Sequence, residues 1–344
     1  MKNLYLFLFL SFSFSQSLDS LDIVINNLRT IVENASRTNK KVLVDDFTGL
    51  DCPYCGYASL AVSDMLDEFP ETLISAQWHL ENFTPDYSDF DDCIYNGLAG
   101  ECFETRASYY GWDTINAVPI EAFNGLEVIT GANSQLEAYN GYVPVYQSIV
   151  DQATPYNIEI NGLKDSLYVD YDVTITMDTD MANDNQYVHV FIAEDNIMSV
   201  WWIFGDVDHN ARNVVRKWDS VLNLDISQEG DSQTFSGSFT IDDSAWNPDS
   251  IKVIALVQNS STKEVFQVEQ MNINNFDSDQ DGIIGSEDNC PGLYNPGQED
   301  IDNDQLGDVC DICDNANVWV SGNFNGEVDV DQSYTIDIFD LLTL

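Results

Sequence analysis

Apolar and polar residues follow several different patterns along this chain, and the changes between them mark its organisation. An unbroken apolar run, Leu4 to Leu10, follows Met1-Lys2 and leads into Ser13-Phe14-Ser15. It is too short to span a bilayer and reads as a secretory signal over residues 1–15, cut before Gln16. Leu18, Leu21, Ile25, Leu28 and Val32 then recur at helical spacing and predict an amphipathic helix over 18–35. Short apolar strands and helical segments alternate after that. Residues 41–44 predict a buried strand, 58–69 a helix, 74–80 a second strand, 117–125 a strand and turn, and 136–153 a closing helix. An acidic, helix-forming insertion to about Trp112 separates the second strand from Pro119.

From residue 157 to about 274 the period becomes two. Leu167, Val169, Tyr171, Val173, Ile175 and Met177 share one strand face, with Asp170, Asp172, Thr174, Thr176 and Asp178 on the other. Val188, Val190 and Ile192 repeat the pattern, as do Phe235, Phe239 and Ile241, then Val253, Ala255 and Val257. Turn residues lie between the runs, so an antiparallel, immunoglobulin-like β-sandwich is expected. Trp201, Trp202 and Phe204 are assigned to its core, with an exposed sticky loop as the alternative.

Candidate redox chemistry lies where the first strand ends. Asp45-Asp46-Phe47-Thr48-Gly49 runs into Cys52-Pro53-Tyr54-Cys55, and a helix follows. A strand, a Cys-x-x-Cys and a helix form the context of a redox motif. Over residues 40–153 this order resembles the thioredoxin superfamily. The resemblance implies a cis Val118-Pro119 bond facing the cysteines and a buried acid, Asp46, six positions before Cys52. The Phe-Thr-Gly-x-x-Cys-x-x-Cys run, His79, Glu194-Asp195-Asn196 and His209-Asn210…Val215-Arg216 are similar to the outer membrane protein 28-related family of Bacteroidetes.

Cys52 at a helix N-terminus would be favoured as the thiolate by the helix dipole and free amides. It would attack a substrate disulfide, Cys55 would resolve the mixed disulfide, and Asp46 would exchange the proton of Cys55. Pro119 would hold a backbone edge for an extended peptide. The candidate catalytic set is therefore Cys52, Cys55, Pro119 and Asp46. Two other readings stay open: a structural disulfide in a thioredoxin-shaped binding domain, and a zinc site formed with Cys93 and Cys102. His79, His189 and His209 read as structural or exposed. No Ser-His-Asp order, phosphate-cradling loop or zinc-protease helix motif occurs, so hydrolase and nucleotide functions lack support.

Past residue 274 acidic residues set the spacing. Asp277, Asp279 and Asp281 alternate, Gly282 follows, and Asp288 closes a twelve-position loop. Asp300, Asp302 and Asp304 alternate again, with Asp308 and Asp311 at the ninth and twelfth places. Carboxylates so spaced, with the seventh-position carbonyls of Ile283 and Leu306, suit Ca²⁺. The loops bracket Asp-Asn-Cys290-Pro and Gly-Asp-Val-Cys310-Asp, an order that resembles the thrombospondin type 3 repeat, a calcium-wrapped, disulfide-linked module. Gly285 at the ninth place and Gln305 in place of the turn glycine depart from it, and weak sites are expected, with Kd on the order of 10⁻⁴ M. A disordered acidic tail is the bland alternative. A third loop, Asp329, Asp331, Ser333, Asp337 and Asp340, resembles half of a dockerin-type calcium repeat. Of the seven cysteines, Cys290 is paired with Cys310 and Cys93 with Cys102, leaving Cys313 over.

Charge narrows the partners. Twelve basic side chains stand against 59 acidic ones, for a net charge of −47, and neither Lys nor Arg follows Lys263. Nucleic acid and anionic membranes are poor partners for such a surface, and a protein or peptide is the expected one. The expected architecture is a signal peptide (1–15), an α/β thioredoxin-like domain (16–153), an all-β immunoglobulin-like sandwich (154–274), a loop-rich thrombospondin type 3-like calcium repeat (275–314) and a partial dockerin-like repeat (315–344). The expected protein is exported and binds Ca²⁺. Either it carries out thiol–disulfide exchange, or it is a non-catalytic surface or adhesion protein with a calcium-stiffened stalk.

Overall fold

The computed structural model describes residues 38–80, 93–95, 98–99, 102–112, 117–279, 281–285, 287–301 and 305–311. The signal segment, the helix expected over 18–35, most of the acidic insertion, Asp302, Asp304, Cys313 and the third acidic loop lie outside the described residues.

The first half runs β1 (Val42–Thr48), α1 (Pro53–Glu68), β2 (Leu73–His79), the short strands β3 (Ile94–Tyr95) and β4 (Leu98–Ala99), α2 (Cys102–Tyr109), β5 (Ile120–Phe123), β6 (Glu127–Thr130) and α3 (Gln135–Ile149). β1 extends well past the apolar run because both of its aspartates find buried partners. Asp45 takes Arg106 and the Trp78 indole on one face, while Asp46 accepts from Gln77 on the other. α1 starts where Pro53 needs no hydrogen-bond partner for a missing N–H. α3 starts at Ser134, whose hydroxyl accepts from the Glu137 amide as an N-cap.

The second half is all strand: β7 (Tyr156–Asp165), β8 (Tyr168–Met177), β9 (Gln186–Glu194), β10 (Ile197–Trp202), β11 (Asp206–Ala211), β12 (Val214–Asn223), β13 (Ser232–Thr240), β14 (Ile251–Asn259) and β15 (Val265–Asn272). A three-stranded sheet of order β13-β8-β7 faces a larger one. Between them sit the period-two residues, Val169 to Met177 on β8 against Val188, Val190 and Ile192 on β9 and Val253, Ala255 and Val257 on β14.

The larger sheet does not stop at the end of this half. Its order is β15-β14-β9-β12-β2-β1-β5-β6, with β3 and β4 attached beside β12. β12 meets β2 in parallel at Val214 and Gln77, which joins the α/β sheet to the sandwich across the 153/154 boundary. One face of this sheet forms a shared core, in which Phe47, Trp78, Phe191, Trp218 and Leu256 pack with Phe103 and Ala107 of α2. The opposite face is covered by α1 and α3 at one end and by the three-stranded sheet at the other. Central strands buried on both sides lose polar alternation, as β9 does from Val188 to Ala193.

The acidic segment after residue 274 docks through Phe276, which is buried in the sandwich core. Asn161 of β7 clamps its start, donating to the Asp277 carbonyl at 3.1 Å and accepting from the Asp277 amide at 3.0 Å. Beyond this point the buried side chains among the described residues are those of Asp281, Cys290 and Asn295.

Candidate functional site

Cys52 caps α1 and is joined to Cys55 by a disulfide. The Cys55 and Gly56 amides point back at Cys52, its sulfur 3.3 Å from the Cys55 nitrogen. The Val118-Pro119 bond is cis, and the Val118 carbonyl lies 3.6 Å from Cys52 Sγ. The strand–disulfide–helix unit, the parallel β1–β2 pair, the antiparallel β5–β6 hairpin and the cis proline together make a thioredoxin-like core. Disulfides also link Cys93 to Cys102 and Cys290 to Cys310, the pairings expected from the sequence. With both upstream pairs oxidised, Cys52, Cys55, Cys93 and Cys102 cannot serve together as zinc thiolates.

The sulfurs are covered by the other half of the chain. Cys52 is 5% exposed and Cys55 0%, packed with Leu50, Trp201, Ala211, Val214 and Ile203. The β10–β11 hairpin supplies this cap, tied to the Leu50 carbonyl by the Trp202 amide at 2.9 Å. Ile203 fills the space over Gly56, where a Cβ would meet its side chain at 2.4 Å. Phe204 packs edge-on against Tyr54, ring centroids 5.8 Å apart. The three aromatics assigned to a core therefore divide: Trp201 is buried at 0%, whereas Trp202 and Phe204 are 43% and 61% exposed. Strand alternation separates Trp201 from Trp202, since alternate residues of β10 face the disulfide and the solvent, and Phe204 follows in the turn at φ 52°.

Beneath α1 lies a polar network. Gln77 Nε2 donates to Asp46 Oδ2 at 2.8 Å and to Ser59 Oγ at 3.1 Å, and Ser59 Oγ lies 3.1 Å from His209 Nε2. His79 Nε2 is 2.9 Å from Gln77 Oε1, the side-chain amide oxygen. Burial raises the Asp46 pKa to about 7 against the opposing Gln77 hydrogen bond. Burial also lowers His79 to about 3, helped by Arg216, and His209 to about 4, helped by Arg212. Both imidazoles are neutral at pH 7. Sequence reasoning found Asp46 but missed Gln77, Ser59, Glu121 and Tyr142. A lone acid in the apolar run Ile120-Glu121-Ala122-Phe123 was the available signal.

A cleft of about 550 Å³ opens beside the disulfide, walled by Tyr54, Val118, Ile129, Ala132, Glu137 and Tyr142. It lies between the Val118-Pro119 turn and the start of α3, and neither cysteine is part of its wall.

In the acidic segment Asp277, Asp279 and Asp281 bring one carboxylate oxygen each within 4.8 Å of one another. Backbone amides bond both oxygens of Asp277 (from Asp281 and Gly282), one of Asp279 (from Asp281) and both of Asp281 (from Ile283 and Asn295). Asp288 accepts from the Cys290 amide and Gln298 through one oxygen, while its other oxygen and Asp279 Oδ2 have no partner among the described residues. Burial raises the Asp279 carboxyl pKa, with Asp281, Asp288 and Asp277 adding repulsion against a hydrogen bond from the Asp281 amide. Orphaned oxygens beside converged carboxylates fit a hard cation. In the second loop Asp300 accepts from the Gln305 amide and Asp308 from the Ile301 amide, with Leu306 exposed between them. Gln305 adopts φ 80°, the left-handed region its missing glycine would have entered freely.

No protein-family model and no curated protein matches the chain. Solved structures do. HBP35 of Porphyromonas gingivalis is 14% identical over 70% of this chain and 78% of that one, with a TM-score of 0.52. A structure from Agrobacterium tumefaciens is 14% identical over 69% and 96%, with a TM-score of 0.42. A domain of the outer membrane lipoprotein Omp28 from Porphyromonas gingivalis is 16% identical over 35% and 89%, with a TM-score of 0.24. The likeness to HBP35 is one of fold. Among the described residues no helix is long and apolar enough to cross a membrane.

Proposed function

We propose that this chain is an exported, calcium-binding modular protein of the cell envelope that carries out thiol–disulfide exchange on protein or peptide disulfides. One observation carries the redox reading: a Cys-x-x-Cys disulfide caps a helix beside a cis proline, with a buried acid in the network beneath that helix. Reduced, Cys52 would be the nucleophile, its thiolate stabilised by the α1 amides and dipole. Its sulfur would bond to one sulfur of the substrate disulfide and expel the other as a thiolate. Cys55, giving its proton towards Asp46, would then attack Cys52 Sγ, release the second substrate thiolate and restore the protein disulfide. The substrate is reduced by two electrons and the protein pair oxidised. Because the hairpin covers one side of the sulfurs, substrate would approach from the cleft at Tyr54 and Val118.

Ca²⁺ would be held by Asp277, Asp279, Asp281, the Ile283 carbonyl and Asp288. A second ion would be held by Asp300, Asp302, Asp304, the Leu306 carbonyl, Asp308 and Asp311. A third would be held by Asp329, Asp331, Ser333, Asp337 and Asp340. The ion would neutralise like charges and stiffen a segment that has almost no core of its own. The sequence likeness of the 277–311 stretch to thrombospondin type 3 repeats, and of the motif run to the outer membrane protein 28-related family, supports the exported, modular reading.

A second reading is favoured by the burial of both sulfurs: a structural disulfide in a non-catalytic surface or adhesion protein. Insulin reduction by dithiothreitol, with and without the protein, separates the two. Exchange predicts catalysis that Cys52→Ser abolishes. A wild-type protein with no turnover, whose pair resists dithiothreitol, would leave the adhesion reading.

A further inference from the structure

The buried acid beneath the disulfide helix has a second acid beside it. In the β1–β5 ladder Asp46 stands directly opposite Glu121, which places the two side chains on one face, Cβ atoms about 5 Å apart. Both are fully buried. Asp46 Oδ1, both Glu121 oxygens and the Tyr142 hydroxyl complete no hydrogen bond of normal geometry among the described residues. Tyr142 comes from α3, faces Glu121, and forms part of the cleft wall beside Tyr54 and Val118. On the other side, Gln77 links Asp46 to Ser59, which lies one helical turn after Cys55 on the buried face of α1. Glu121 and the Tyr142 hydroxyl interact with each other, Asp46 Oδ1 beside them completes no hydrogen bond among the described residues, and this buried polar line ends at the cleft; an unsatisfied buried group costs about 1–3 kcal/mol.

We propose that Asp46, Glu121 and Tyr142 form a proton path between the Cys52–Cys55 pair and the cleft, with Glu121 as the positioning residue that keeps Asp46 supplied with a proton. This rests on the exchange reading above. In reduction by an external dithiol, one reagent thiolate attacks Cys52 Sγ and the Cys52–Cys55 bond breaks. Cys55 Sγ leaves with the electron pair and takes the Asp46 proton. Asp46 recovers a proton from Glu121, which refills from solvent in the cleft past Tyr142. The second reagent thiolate attacks the reagent sulfur of the mixed disulfide and releases Cys52. The protein pair is reduced by two electrons, and the dithiol becomes a cyclic disulfide.

Two buried acids this close do not both ionise readily. Burial, and then the charge of Asp46, hold the Glu121 pKa well above the usual carboxylate range, while Asp46 loses its proton near 7. The other groups linked to this line are Ser59 of α1, Gln77 and His79 of β2 and His209 of β11, with Cys55 one turn before Ser59 on the buried face of α1. Arg216 acts through His79, and Arg212 and Asp64 act through His209. Arg106 is turned to Asp45 on the opposite sheet face.

The test is the pH profile of disulfide reduction by dithiothreitol, with the rate divided by the concentration of reagent thiolate. In the wild type this rate should hold above pH 7, where Asp46 alone would empty. In Glu121→Gln it should match the wild type at pH 6 and fall about tenfold per pH unit above 7, as Asp46 alone empties. Tyr142→Phe should slow the reaction above pH 7 as well. Superimposable wild-type and Glu121→Gln profiles would overturn the path while leaving exchange intact. An unaltered Tyr142→Phe profile would overturn its exit through Tyr142. A second measurement needs no variant: the infrared spectrum of the wild type at pH 8 should retain a protonated-carboxyl band, and its absence would overturn the role of Glu121. Wild-type protein inert to dithiothreitol would remove the exchange reading, and the infrared band would still report whether Glu121 holds its proton.

Discussion

Replacing Asp46 by Asn should stabilise the protein, and only at the pH where the aspartate is costly. Folded, the carboxyl keeps its proton up to about pH 7, against 3.8 for the ordinary group, because burial disfavours the anion more than Gln77 supports it. A raised folded-state pKa contributes stability that is whole below the unfolded value of 3.8 and is lost as pH rises to about 7. At 1.36 kcal/mol per pH unit, the loss totals about 4 kcal/mol, of which about 3 kcal/mol falls between pH 4.5 and 8. Asn never ionises, and its amide oxygen can still accept from Gln77 Nε2. Whatever the amide costs in packing is the same at both pH values, so the change in the mutant–wild-type difference isolates the titration. Urea unfolding of the oxidised proteins at pH 4.5 and 8 measures it. Asp46→Asn should gain about 3 kcal/mol relative to wild type on going to pH 8, a large part of a typical domain's stability. A difference that does not change with pH would show that Asp46 is not held protonated by burial.

Arg106→Ala should destabilise by about 3–5 kcal/mol in thermal or urea unfolding, since it strands the fully buried Asp45 carboxylate that Arg106 now meets at 2.7 Å. Gly56→Ala should speed reduction of the Cys52–Cys55 disulfide by dithiothreitol, because the new Cβ collides with Ile203 and lifts the hairpin cap; an unchanged rate would mean the cap does not limit access. Gln305→Gly should stabilise the 281–311 segment by about 1 kcal/mol by relieving its φ of 80°, read as slower local proteolysis. Removing Ca²⁺ with a chelator should open residues beyond 276 to protease while leaving 38–274 intact, and equal cleavage with and without the ion would refute calcium stiffening.

Local features were legible because local rules produce them. Apolar periodicity located β1, α1, β2 and, in the second half, β8, β9, β13 and β14, and Pro53 with its flanking cysteines marked the helix start that holds the disulfide. The alternation of Val169 to Met177 became the sandwich core, residue for residue. What escaped was non-local. The sheet is joined across the two halves by the pairing of Val214 with Gln77, residues far apart in sequence and without distinctive spacing. The hairpin over the sulfurs could not be seen either, since Trp201 and Trp202 read alike until strand geometry turns one inward. Glu121 was hidden differently: a short strand with three apolar residues tolerates one acid, and only the ladder sets it opposite Asp46.

Charge shows how the two ends of the molecule are linked. Of the twelve basic residues, Lys2, Arg29 and Arg37 lie outside the described residues. The other nine all turn to internal partners: Lys40 to Glu264, Lys41 to Glu269, Arg106 to Asp45, Lys164 to Asn274, Arg212 and Lys252 to Asp195, Arg216 to Glu194, Lys217 to Asp219, and Lys263 to the Ser260 carbonyl. Several of these bonds tie the two halves together, as Arg212 also does through Asp67 of α1. The cations are thus spent on holding strands and helices in place, and the outer acids are left to solvent, salt or divalent ions. Repulsion among them falls with ionic strength over about 8–10 Å, but the three converged carboxylates at 277, 279 and 281 are closer than that. Monovalent salt can quiet the general surface. Loop amides offset part of the repulsion there, and an ion seated among those oxygens would offset the rest.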